Sequence, residues 1–335
     1  MRNFAVLTKA LLKNSLSLGK KKAKTLALGA LIIVSILPLL WILYTSSVDM
    51  FASRFDLMWL EMFLVATAML VLWTALFTFA SSFYFSNDVP KLLVLPVPSW
   101  TIVAAKFVIN YISCLTISLI ALLPLLVAFI QTHPTQIVGI VMFVLQLFLN
   151  ILPPLFVMSV LTMLVMRFMP FFANKDRFNL VLGLLGIVFG VSVGVMSNMV
   201  SASDGEVVMN LMTQSPVLLG MATKLFFHVP SAAQSIVDGS FVSLLVNVAI
   251  IVALGALFFV CAQKLYLPTV LSMSQGAQKK GKRKTIRKQG ALASYMSVEL
   301  KQLVRTPAYL SNCVLGAFIM PIVLVLVFVI NPQIR

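Results

Sequence analysis

The sequence predicts an all-α, polytopic membrane protein with about seven transmembrane helices and a cytoplasmic N-terminus. Three observations carry that prediction. Hydrophobic residues make up 61% of the 335 and charged residues only 10%, with a mean hydropathy of +1.05. A soluble domain, roughly half apolar and a quarter charged, has nowhere to hide so much apolar side chain. The apolar residues also gather into runs of about 20 or more, the length at which a helix crosses the hydrocarbon core. Finally, the net charge of +16 is distributed unevenly between the loops, and such a bias sets orientation.

The predicted spans are Leu26–Thr45, Leu57–Ala80, Thr101–Ile130, Ile137–Met166, Leu180–Val200, Phe241–Tyr266 and Asn312–Ile330. The third and fourth exceed the minimum length and are expected to tilt or project. Pro153-Pro154 falls within the fourth and is expected to kink it, since each proline lacks an amide donor. With the N-terminus inside, all but Arg54, Lys224 and Arg335 of the 25 Lys and Arg residues lie on the cytoplasmic side.

In chain order, residues 1–22 read as an interfacial amphipathic helix rather than a cleaved signal. At 100° per residue Phe4, Leu7, Leu11 and Leu18 share one face, while Arg2, Lys9, Lys13 and Lys20 share the other. The basic side suits anionic membrane lipid. Residues 23–271 form a six-helix transmembrane half. Glu61, near the outer end of the second span, is expected to sit hydrated at the headgroups, and Lys106 at the inner face is expected to snorkel.

The most unusual connection is the loop 83–100. Leu92, Leu93, Leu95 and Val97 require burial, while Pro90, Pro96 and Pro98 forbid a long helix. A helical turn or two, pressed into a groove of a partner protein, satisfies both constraints. Packing against the chain's own bundle satisfies them as well.

Residues 201–240 are the one sizeable external piece, with short helices expected after Ser203, after Ser215 and from Pro230 to a stop at Gly239. They are expected to lie on or dip into the outer leaflet, with His228 at the surface. Residues 272–290 form a basic cytoplasmic linker. Its Gly276–Arg283 stretch approaches a phosphate-binding loop, but Arg283 stands where a magnesium-holding Ser or Thr belongs and no strand leads in. Lipid headgroups suit these charges, and no role with nucleic acid is expected.

Residues 291–335 repeat the opening arrangement. Leu292, Met296, Leu300 and Leu303 share a helical face, Lys301 and Arg305 share another, and an apolar run follows. The chain therefore reads as one half plus the first elements of a second, and is expected to be truncated.

Two motifs carry a resemblance. Phe83-Tyr-Phe-Ser86 with Asp88, Leu92-Leu93, Leu95-Pro96-Val97 and Ala105-Lys106-Phe107 resembles the first cytoplasmic loop of a bacterial family of ABC-exporter permeases. Glu299-Leu300-Lys301 followed by Arg305-Thr306-Pro307-Ala308-Tyr309 is similar to the element opening the second half in that family. The resemblance implies a multi-pass subunit of the bacterial cytoplasmic membrane that works with a separate ATP-binding cassette subunit. It implies a coupling helix docking on that ATPase through Phe85, Asp88, Leu92, Leu93 and Leu95. Glu299, Arg305 and Pro307 would open the second half. ATP and magnesium would be bound by the partner, this chain holding no cofactor of its own.

The residues themselves point the same way chiefly by what they lack. The chain carries no ATP site, its spans are nearly free of acids, and Cys114, Cys261 and Cys313 suit neither disulfides nor a metal site. Mid-membrane ionisable residues, usual in ion-coupled carriers, are not expected. The expected function is thus the pathway-forming subunit of an ATP-driven exporter of unknown substrate, itself not an enzyme. The alternatives are an ATP-independent carrier, a membrane scaffold or, least supported, a lipid-modifying enzyme.

Overall fold

The computed structural model describes residues 7–12, 22–53, 55–86, 88–94, 97–169, 177–186, 222–276 and 294–299, with isolated residues at 172, 174, 175, 190, 220, 290 and 292. Among these every regular element is helical. They include α1 (Lys22–Ala52), α2 (Asp56–Phe83), α3 (Val89–Leu93), α4 (Ser99–Thr132), α5 (Ile137–Leu149), α6 (Leu152–Phe168), α7 (Val229–Val237), α8 (Phe241–Lys264) and α9 (Tyr266–Gly276). Among the described residues five stretches are long and apolar enough to cross a membrane: Val34–Ala52 in α1, all of α2, all of α4, the α5–α6 pair, and α8. The protein is membrane-embedded. These stretches answer the first four predicted spans and the sixth. A short apolar helix, Arg177–Gly186, begins the fifth; its remainder and the seventh lie outside the described residues.

The chain divides into two compact units, one of Met1–Leu164 with Pro216–Val270, the other of Val165–Ser215 with Leu271–Arg335. In the first, α4 is the central element, packing on α1, α2, α5 and α8. At one end Phe51 meets Phe129 edge-on at 5.6 Å, the Trp59 indole donates to Ser47 Oγ at 3.1 Å, and the Tyr44 hydroxyl bonds Gln131. His133, closing α4, lies 3.7 Å from Asp56, which opens α2. At the other end Phe107 stacks on Phe156 with centroids 4.9 Å apart, and Phe258 closes the cluster. Exposed side chains such as Leu31, Leu37, Trp41, Leu245 and Val252 have lipid as their natural solvent. Hydroxyls within the spans return their protons to the preceding turn, as Thr78 does to the Thr74 carbonyl at 3.0 Å.

Two proline signals appear as the sequence has them. α5 stops at Leu149 and α6 starts at Leu152. Pro153 and Pro154 thus fall in a first turn, where a missing amide costs nothing. α7 carries Pro230 in its first turn and is followed by Gly239 at φ +61°, a left-handed conformation that L side chains resist.

In the second unit, Phe178 and Leu182 of the Arg177–Gly186 helix are buried, and Phe172 meets Phe178 edge-on at 6.0 Å. Near its other described end Leu292, Tyr295, Met296, Val298 and Glu299 are exposed. Leu300, Arg305 and Pro307 lie outside the described residues.

Candidate functional site

The loop between α2 and α4 is clasped to the bundle from below. Its short helix α3 turns Val89 and Leu92 inward, 3% and 7% exposed, while Val94 stands 84% exposed and Lys91 also faces outward. Amide bonds from Val89 to the Ser86 carbonyl (3.1 Å) and from Leu92 to the Asp88 carbonyl (2.9 Å) close the turn. Phe85 and Asp88 are half-buried. The Leu93 side chain and all of Leu95 lie outside the described residues. Of the five residues that the resemblance singles out, Leu92 therefore packs against its own chain.

Lys106 corrects a sequence expectation. It does not snorkel: it is 3% exposed, and its ammonium donates to the Ser82 carbonyl in the last turn of α2 and to Ser86 Oγ at 2.6 Å. A cation at a helix C-terminus satisfies orphan carbonyls and opposes the negative end of the dipole. The result ties α4, the end of α2 and the loop into one piece. From α9, the Tyr266 hydroxyl adds a 3.0 Å bond to the Phe83 carbonyl, and its ring lies 5.6 Å from that of Tyr84. Burial holds both tyrosines well above the ordinary phenol range, and Tyr266 adds to the shift of Tyr84. Both remain neutral, so Tyr266 keeps its donor.

Deeper in the same unit, between its two ends, lies polar chemistry that the sequence reading did not find. His228 was expected at the surface; it is 1% exposed. Its Nε2 lies 3.2 Å from Asn150 Oδ1, and Asn150 Nδ2 donates to Thr67 Oγ1 (3.0 Å) and to the Leu64 carbonyl (3.3 Å). Because the Asn150 amide nitrogen serves those acceptors, its oxygen must accept, which makes His228 Nε2 the donor. A second relay lies alongside. Asn247 Nδ2 donates to Gln146 Oε1 (2.8 Å), Gln146 Nε2 to Ser235 Oγ (3.1 Å), and Ser235 to the Ala232 carbonyl (2.7 Å). The signal available in advance was polarity inside apolar runs, at Gln146, Asn150 and Asn247. Which residues answered each other depended on helix packing.

Among the described residues no three His, Cys, Asp or Glu side chains lie close enough to hold a metal. Of the basic face read at the N-terminus, Lys9 is exposed and Leu7 and Leu11 are half-buried; Arg2, Lys13 and Lys20 lie outside the described residues. Compared with the known protein families, with characterised proteins and with solved structures, the chain matches none.

Proposed function

We propose that this chain is the membrane subunit of an ATP-driven exporter of the bacterial cytoplasmic membrane. In this reading the α3 end faces the cytoplasm and receives force from a separate ATPase. The observation that carries it is the Lys106 clasp. A loop meant to transmit force must be stiff where it joins the spans and open where it meets its partner. Lys106 joins α4 to α2, Tyr266 adds α9, and Lys91 and Val94 stay exposed. Motion of α3 then tilts α2 and α4 together. The docking surface in this reading is the outer side of α3 and not buried Leu92. Lys91→Glu with Val94→Glu should abolish co-purification of the ATPase from native membranes while leaving thermal unfolding unchanged. Retention of the ATPase would sink the docking assignment.

The second reading, an ATP-independent carrier, is favoured by one observation: buried His228 and its relay lie inside the bundle. Uptake or release by vesicles holding this chain alone, driven by an ion gradient, would select it.

A further inference from the structure

The α7 end has the construction of a closed door. α5 ends where α7 begins: Asn150, just past the end of α5, bonds His228, just before the start of α7. From there α7 climbs to the opposite end of α5, where the Ile236 carbonyl passes over Gly139 and Gly239 lies beside Val138. At 1.5 Å per residue, Gln146 and Asn150 lie about 14 and 20 Å along their span from Ile137. Half the hydrocarbon core is roughly 15 Å thick. α7 is thus a half-helix that enters the unit to mid-membrane depth, tolerable there because protein surrounds it.

We propose that α7 is a gate, hinged at Gly239 and at the 226–228 turn that leads into it, and that the two hydrogen-bond relays are its latch. The buried face of α7 is built from Val229, Ala232, Ala233, Ser235 and Ile236. Ala232, Ala233 and Ser235 are small, so the large apolar side chains of this face are Val229 and Ile236 alone. The latch bonds are neutral side-chain bonds of a kind that contributes little each within a membrane bundle, and water replaces them once the gate opens. Both hinges are local. Gly239 sits at positive φ, and the turn at 226–228 is closed by the Val229 amide bond to the Phe226 carbonyl at 2.9 Å. The gate concerns access to the bundle and does not depend on what drives transport.

The test is cysteine accessibility in vesicles carrying a membrane-impermeant maleimide on both faces. The full chain is used with Cys114, Cys261 and Cys313 replaced by alanine. Ala233→Cys, on the buried face of α7 but outside both relays, reports the gate, and Ser159→Cys, at a buried position of α6, reports general loosening. Weakening the latch with Asn150→Leu should raise labelling at 233 about tenfold and leave 159 unchanged. Should Asn150→Leu not assemble, Thr67→Val, which removes one acceptor at nearly constant shape, serves in its place with a smaller rise expected. Equal rises at both sites, or no rise at 233, overturns the gate.

Discussion

Replacing Lys106 with methionine is expected to free the α2–α4 loop and, on the docking proposed above, to cut association with the ATPase about tenfold or more. Two charge-assisted hydrogen bonds disappear, to the Ser82 carbonyl and to Ser86 Oγ. Such bonds contribute about 1.5–3 kcal/mol each. Methionine keeps the length and apolar stem, and it also removes the cost of holding an ammonium away from water. Global stability should therefore fall by only about 1–3 kcal/mol. The larger effect is local. With the clasp gone, α3 keeps the packing of Val89 and Leu92 but loses its tie to α4, so a force applied to Lys91 and Val94 bends the loop before it tilts the spans. Limited proteolysis within residues 84–98 should accelerate about tenfold, and Lys106→Arg should restore part of the protection. Unchanged cleavage in Lys106→Met would show that the clasp does not stiffen the loop.

The second large effect is expected at Gly139. A Cβ built there meets the Ile236 backbone carbonyl at 2.7 Å, nearer than real Cβ contacts come. Backbone cannot rotate aside as a side chain can, so α7 or α5 must shift. Overpacking of this kind costs about 1–3 kcal/mol, and here the shift also strains the relay through Ser235. Gly139→Ala should lower the midpoint of thermal unfolding in detergent by several degrees. It should also raise Ala233→Cys labelling. Gly255 supplies the control, because a Cβ there meets only the Phe156 ring at 3.4 Å, ordinary van der Waals contact. A Gly139→Ala protein as stable as Gly255→Ala would mean that α7 is not seated against α5 as described.

These two positions mark the boundary of what the chain discloses unaided. Length and hydropathy locate the crossing helices, because a bilayer accepts only apolar runs near 20 residues. The ends of α2, α4 and α8 fall within a few residues of their predicted ends for that reason. Pro153-Pro154 announces a break and Pro230 with Gly239 announces a short helix, because proline and glycine act through local backbone geometry. Burial of a polar residue has no such local signature. Lys106 looks like any lysine at a membrane boundary until α2 presents its last carbonyls beside it. His228 looks like a loop histidine until Asn150 meets it from a helix whose sequence position is far away.

The chain alone thus determined that it lives in a membrane and where its helices turn, since both follow from nearest neighbours and from segment length. Only the packed fold decided that Leu92 faces inward, that Lys106 closes a helix end, and that Gln146, Asn150, His228, Ser235 and Asn247 form two relays. Those outcomes depend on which helix faces lie opposite one another. In lipid, where apolar burial discriminates poorly between faces, hydrogen bonds and close backbone approach make that choice.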